Sequence, residues 1–226
     1  MNRSQLIKRI DDFEKNMTSE LRLIKSELSV PEEPADNIVD EKPIVLIIGH
    51  TAESGGATNK EFNVSEYMFN KALVEEIVTF LNESNFKRKI IVQERTGYIK
   101  LPKQINDHKP LFAISLHANA FNEKATGTEM LYYYGSESSK QLATILQENI
   151  CKALGLKDRG IKAKNEKDRG GYLLKKVDCP IVITEPFFID NVNDFIIMEE
   201  RKRQLITAYI NSIIVFNIVM EKKNGR

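Results

Sequence analysis

The run PIVLIIGH at residues 43–50 decides the fold class of this chain, because residues 44–48 are all apolar and show no polar alternation. Strands of this kind are buried on both faces, as in a parallel sheet covered by helices. Four similar short runs follow along the chain: RKIIVQE, LFAISLH, GTEMLYYYG and CPIVITE. Three longer stretches have apolar residues at helical spacing: EYMFNKALVEEIVTFLNE, SSKQLATILQENICKALG and MEERKRQLITAYINSIIVFNIV. The order predicts an α/β fold with a mostly parallel central sheet and helices on both faces.

The first 42 residues have a different pattern. Apolar residues recur every three or four positions from Leu6 to Leu28, which predicts an amphipathic helix over residues 1–30. The acidic, proline-containing segment after it predicts a linker over residues 31–42, with the main domain over 43–226. The helix could pack on that domain, pair with a second copy or dock on a partner.

Charge and hydropathy narrow the classes of partner. The 226 residues contain 33 lysines and arginines and 32 acids, a net charge of +1 that gives no reason to expect a nucleic-acid partner. The most apolar stretch, AYINSIIVFNIVM, is shorter than the roughly 20 residues of a membrane span, so we expect a core-facing helix. The N-terminus lacks the apolar segment of a secretory signal, which predicts synthesis in a cytoplasm without a signal peptide.

Three titratable residues directly end predicted strands: His50, His117 and Glu185. In parallel sheets, ligands bind beyond the carboxyl ends of the strands, where we expect these side chains to meet. Catalytic zinc sites commonly use three protein ligands, and two histidines with one carboxylate would complete such a set. The loop after His50 offers three glutamates, of which Glu66 is best placed because it begins a helix after the N-cap residue Ser65. Taken alone, Glu66 would be an ordinary first-turn acid.

The segments GHTAESGGATNKEFNVSEYMFNKAL, SLHANAF and IVITEPFFIDNVNDF resemble the zinc-dependent N-acetylmuramoyl-L-alanine amidases of bacterial cell walls and phage endolysins. The resemblance covers most of the chain from Pro43 onward. It implies one zinc ion per chain, with the ligands and other site residues at matching positions. These are His50, Glu66 and His117 as zinc ligands, Glu185 as the catalytic acid and base, and Asn70 and Asn119 as substrate-binding residues.

Three stretches depart from the family pattern or have no single assigned role. The family usually has GHGG after the first strand, whereas here the two glycines come later, at Gly55 and Gly56. Arg95 follows the second strand in an ERT sequence instead of the usual TR pair, and we assign it no role. The polar segment DRGIKAKNEKDRGGYLL predicts either a solvated loop or a wall that contacts substrate.

The expected function is zinc-dependent hydrolysis of the amide bond between N-acetylmuramic acid and L-alanine in peptidoglycan. We expect a phage-type lysin that is made in the host cytoplasm and acts on the cell wall after release. Two alternatives stay open: a wall-binding or assembly protein that keeps the amidase fold, and a zinc peptidase that cleaves the stem peptide.

Overall fold

The computed structural model describes residues 42–84 and 86–223. Eight strands and six helices are found in that part of the chain. The strands are β1 (Ile44–Ile48), β2 (Thr58–Asn59), β3 (Val64–Ser65), β4 (Ile90–Gln93), β5 (Phe112–Leu116), β6 (Thr128–Tyr133), β7 (Asp158–Lys164) and β8 (Ile181–Glu185). The helices are α1 (Glu66–Glu83), α2 (Leu101–Asp107), α3 (Glu137–Leu154), α4 (Gly171–Lys176), α5 (Val192–Glu200) and α6 (Lys202–Lys223).

The central sheet has six strands in the order β4-β1-β5-β8-β6-β7. Strand β1 pairs in parallel with β4 and β5, and β5 pairs in parallel with β8. Strand β6 runs antiparallel to β8 and parallel to the edge strand β7. The predicted α/β fold with a mostly parallel sheet is therefore confirmed. The carboxyl ends of β1, β5 and β8 meet at one edge of the sheet, where the histidines and Glu185 follow or end these strands.

The two faces of the sheet are covered unequally. The long helices α1, α3 and α6 pack on one face, where the ring of Phe112 lies 5.0 Å from that of Phe216 and Thr184 Oγ1 lies 2.7 Å from Tyr209 Oη. The short helices α2 and α4 pack on the other, around a buried cluster that includes Ile47 and Ile183. Ile47, Leu131 and Ile183 of this buried cluster also line a pocket.

Two predictions about secondary structure need correction. Residues 158–164 form edge strand β7, although the segment around them is polar and gave no strand signal. An edge strand is exposed on one side, so it does not need a continuous apolar run. The predicted C-terminal helix is two helices, because α5 ends before Arg201, whose side chain donates a hydrogen bond to the carbonyl of Leu154 at 2.7 Å. The predicted helix over 1–30 and the linker over 31–42 lie outside the described residues, apart from Lys42.

Helix α6 is long and apolar enough to cross a membrane by length and composition alone. In the structure, 61% of its most apolar window is buried, and it packs against α1 and α3. Tyr209, Ile213 and Phe216 on this helix are fully buried. The interpretation of this stretch as a core-facing helix agrees with this packing.

Candidate metal centre and active site

The loop after β1 brings His50 to the sheet edge through a close backbone approach. A Cβ atom at Gly49 would lie 2.4 Å from the carbonyl oxygen of Leu116 and 2.8 Å from the His117 ring, so only glycine fits there. His50 itself has φ of 66°, a left-handed conformation that non-glycine residues rarely adopt. The tight approach of β1 to β5 therefore sets the two histidine rings side by side, with their centroids 5.1 Å apart.

Glu66 is fixed by the start of α1. The Ser65 side chain caps this helix by accepting a hydrogen bond from the Met68 amide at 3.3 Å, as predicted. The Glu66 carboxylate accepts hydrogen bonds from the Ala57 amide at 3.2 Å and from the Ala118 amide at 3.1 Å. These contacts hold the carboxylate between the β1 loop and the end of β5.

The displaced glycines of the GHTAESGG segment lie at the site. Residues 51–54 form a turn, and the chain then returns beneath Glu66. Gly56 has φ of 76°, and a Cβ atom there would lie 2.7 Å from both Glu66 Oε2 and His50 Cδ2. The longer loop thus still brings a glycine against the two side chains.

The structure brings together the three predicted ligands. Glu66 Oε1 lies 2.8 Å from His117 Nδ1, and Glu66 Oε2 lies 3.0 Å from His50 Nε2. Burial alone would raise the pKa of the Glu66 carboxyl, but its interactions with the His117 and His50 side chains outweigh burial and lower the pKa. Glu66 is therefore a carboxylate at neutral pH, the form that can bind a cation.

These three side chains fit a zinc ion. Each offers one ligand atom, and all three atoms lie within 4.8 Å of one another. Ligands about 2.1 Å from a tetrahedral zinc are separated by about 3.4 Å, so small side-chain shifts would close the set. His50 Nε2 is buried, and despite its distance to Glu66 it has no partner with hydrogen-bond geometry among the described residues. A buried nitrogen of this kind is suited to donate its lone pair to a metal.

Glu185, the last residue of β8, lines the same pocket as His50 and His117. Its side chain is 5% exposed, and its Oε2 atom has no hydrogen-bond partner within the described residues. Burial raises the pKa of the Glu185 carboxyl well above its usual range, the charge of Glu66 raises it further, and Arg169 opposes the shift. A carboxyl group with a raised pKa holds a proton more strongly than an ordinary glutamate, which suits it to general acid–base chemistry.

The two predicted substrate-binding asparagines lie in the interior. Asn70 is 0% exposed, one turn after Glu66 in α1, and does not line the pocket. The Asn119 amide donates a hydrogen bond to Glu129 Oε1 at 2.8 Å, and its backbone pairs with the segment after β8. A contact of either residue with substrate stays a prediction.

Sequence reasoning missed much of the pocket wall. The pocket has a volume of about 520 Å³ and extends from the catalytic centre towards the loops after β4 and β7. Arg95, to which no role was assigned, lines it together with Tyr98. The segment weighed as either a solvated loop or a wall also lines it, through residues 166–170, 172 and 173. This position agrees with the interpretation as a wall, whereas contact of the segment with substrate stays a prediction.

The sequence of this chain is similar to that of a known protein family. The profile of a family described as N-acetylmuramoyl-L-alanine amidase matches residues 44–215. The chain belongs to this family. The match spans β1 to α6 and includes all the predicted site residues of the amidase resemblance.

The chain is similar to an uncharacterized cell wall amidase of Bacillus anthracis, with 29% identity over 192 residues. The alignment covers 76% of this chain but 34% of the relative, so the chain corresponds to only part of that protein's length.

Two solved amidase structures share the fold. The catalytic domain of CwlV, an N-acetylmuramoyl-L-alanine amidase from Paenibacillus polymyxa, superposes with a TM-score of 0.66 at 23% identity, covering 76% of this chain and 96% of that one. The catalytic domain of an endolysin targeting Clostridium difficile gives 0.62 at 24% identity, covering 76% and 97%. The α/β fold described above is therefore that of amidase catalytic domains.

Proposed function

We propose that this chain hydrolyses the amide bond between N-acetylmuramic acid and L-alanine in peptidoglycan, using one zinc ion held by His50, Glu66 and His117. The observation that carries the proposal is the convergence of three ligand atoms beside an unpaired, buried Glu185 in one pocket. Family membership supplies the reaction class.

Amide hydrolysis needs an activated water, a stabilised oxyanion and a protonated leaving amine. The chemistry that zinc supplies when bound is Lewis-acid activation of water and polarisation of the scissile carbonyl. His50 Nε2, His117 Nδ1 and a Glu66 oxygen would hold the ion. The low pKa of Glu66 keeps its negative charge in place, which offsets part of the charge of a divalent cation.

Glu185 supplies the proton transfers. Its carboxylate takes a proton from the attacking water and then returns that proton to the nitrogen of the departing alanine. The same side chain serves both steps because it lines the pocket with one carboxylate oxygen unpaired, and its raised pKa favours holding the proton between them. The apolar neighbours Ile183 and Leu131 line the pocket beside it and limit the water around it.

The test measures zinc content and peptidoglycan digestion for the full chain and three variants. His117→Ala should lose both zinc and activity, whereas Glu185→Gln should keep zinc and lose activity. Glu123→Gln is the matched control, because that carboxylate is 64% exposed and pairs with Lys60 on the surface. Survival of digestion in both site variants would instead favour a wall-binding or assembly protein.

Product analysis separates the amidase from a stem-peptide peptidase. An amidase creates new N-terminal alanine on the stem peptide, and a peptidase creates other amino termini. Release of any other amino terminus as the main product would reject the proposed bond.

We further propose that the protein acts as a phage-type lysin, made in the host cytoplasm and reaching the cell wall after release. Its support is the fold shared with an endolysin catalytic domain. Expression inside a susceptible bacterium should leave cells intact until the membrane is permeabilised. Lysis without permeabilisation would instead indicate export by the producing cell.

A further inference from the structure

The pocket wall also carries three cations that make no metal contact or proton transfer in the proposed hydrolysis. Arg95 lies on the loop after β4, and Lys167 and Arg169 lie on the loop after β7. All three residues line the same 520 Å³ pocket as His50 and Glu185. A ligand extending from the catalytic centre would therefore meet positive charge.

Two acids of this wall have partners of their own, whereas its three cations have no carboxylate partner within salt-bridge distance in the described part of the chain. Glu166 pairs with Lys176 at 3.1 Å, and the Asp168 carboxylate accepts a hydrogen bond from the Asn165 amide at 2.8 Å. Among residues 42–84 and 86–223, no carboxylate lies within 4.0 Å of the charged nitrogens of Arg95, Lys167 or Arg169. The wall is thus an electropositive surface with free donors.

The Arg95 side chain is positioned by aromatic contacts and keeps a free hydrogen-bond donor. Its guanidinium carbon lies 5.1 Å from the centre of the Tyr98 ring, and Tyr98 in turn contacts Tyr172, with ring centroids 5.7 Å apart. Arg95 Nε is buried and has no hydrogen-bond acceptor in the described part of the chain. Because a guanidinium has five N–H donors and matches a carboxylate in shape, an anionic ligand would satisfy this group.

The loop that carries the other two cations has a fixed shape. The Asn165 side chain accepts a hydrogen bond from the Lys167 amide at 3.0 Å, and the Gly171 amide donates to the Asp168 carbonyl at 2.8 Å. A Cβ atom at Gly171 would lie 1.8 Å from the Asn165 carbonyl oxygen, so the turn depends on glycine. Positions 167 and 169 are therefore presented without a large ordering cost on binding.

The scissile amide separates two chemically different parts of the substrate. The glycan side carries hydroxyl and acetamido groups, whereas the stem peptide on the alanine side carries free carboxylates. We propose that Arg95, Lys167 and Arg169 form a subsite that binds a free carboxylate of the stem peptide, an inference that rests on the proposed amidase function. The subsite places the peptide in the pocket and the glycan towards solvent.

The test compares two peptides that differ in one group. L-alanyl-γ-D-glutamyl-L-lysinamide has a free carboxylate on its second residue, and the isoglutamine analogue has a carboxamide there. Calorimetric titration of the full chain should show that the carboxylate peptide binds about tenfold more tightly, a difference of about 1.4 kcal/mol. The Arg95→Gln/Arg169→Gln double variant should bind both peptides equally, at the affinity of the parent for the carboxamide.

Controls keep the outcome specific to the subsite. Arg203→Gln removes an exposed arginine of α6 that does not line the pocket, and it should keep the full preference. If the double variant fails to fold, Lys167→Gln and Arg169→Gln, both at exposed positions, should each reduce the preference.

Equal affinities of the parent for the two peptides, or a preference that survives both arginine substitutions, would overturn the subsite. Failure of the hydrolysis proposal is seen separately. In that case the binding preference would be present while N-acetylmuramoyl-L-alanyl peptides stay uncleaved. Cleavage without any preference would reject the subsite alone.

Discussion

Gly56→Ala is expected to damage the metal centre through a single added methyl group. The new Cβ would lie 2.7 Å from Glu66 Oε2 and from His50 Cδ2, so two proposed zinc ligands would have to move. The backbone at this position also has φ of 76°, which disfavours an L side chain. The substitution therefore combines backbone strain with a steric clash at the site.

The chain offers a control that separates these two effects. Gly160 has φ of 75°, nearly the same backbone conformation, but a Cβ atom there would have nothing within 4 Å. Gly160→Ala should cost only the left-handed strain, about 1–2 kcal/mol, partly offset by a stiffer unfolded chain. Gly56→Ala should cost the same strain plus about 1–3 kcal/mol for the overpacked contact.

Two assays on the full-length protein measure these expectations. Chemical denaturation without metal should show Gly56→Ala to be less stable than Gly160→Ala by about 1–3 kcal/mol. Competition with a chromophoric chelator should show zinc affinity reduced by about tenfold or more in Gly56→Ala, as for other changes that misplace ligands. Gly160→Ala should keep the zinc affinity of the parent.

The comparison has a clear failure condition. If both alanine variants had equal stability and equal zinc affinity, the close contact between Gly56 and the two ligands would have no energetic role. The assignment of His50 and Glu66 as zinc ligands would then lose its structural support.

Three further predictions concern the interior. Tyr209→Phe should destabilise the fold by about 1–3 kcal/mol, because Thr184 Oγ1 would lose its hydrogen-bond partner at 2.7 Å in a buried site. The control Tyr134→Phe, at an exposed position, should be neutral in the same thermal or denaturant unfolding measurement. Asp194→Ala should lower the free energy of unfolding by about 2–4 kcal/mol, because its buried carboxylate accepts hydrogen bonds from Thr126, Gly127 and Phe188. A decrease no larger than that caused by Asp107→Ala, at an exposed position, would contradict this role. Burial raises the pKa of the Cys151 thiol to about 11 and that of the Cys179 thiol to about 12. At pH 8.5 iodoacetamide should therefore alkylate both cysteines at least about tenfold more slowly in the native protein than in the unfolded protein. Mass spectrometry of each cysteine measures this difference.

The sequence was most informative where burial and local geometry act together. The apolar runs predicted the buried strands β1, β5 and β8, and the spacing predicted α1 over the residues that the structure assigns to it. The strand-end positions of His50, His117 and Glu185 predicted their convergence, since parallel strands end at a common edge.

Features that depend on long-range packing were not predictable in this way. Strand β7 is polar because it lies at the edge of the sheet, where it pairs with β6 alone. The burial of Asn70 follows from the packing of α1 against the sheet and α6. Tyr98, on the same loop as Arg95, contacts Tyr172 at the start of α4, directly after the loop that carries Lys167 and Arg169. No local sequence pattern predicts this contact.

The unequal cover of the sheet has a consequence for redesign. The three long helices and the strands they pack on contain the large fully buried side chains Phe112, Tyr209 and Phe216, none of which lines the pocket. The loops after β4 and β7 could therefore be randomised or exchanged between homologues while this scaffold stays intact. Such libraries would vary the pocket wall and leave His50, Glu66, His117 and Glu185 unchanged.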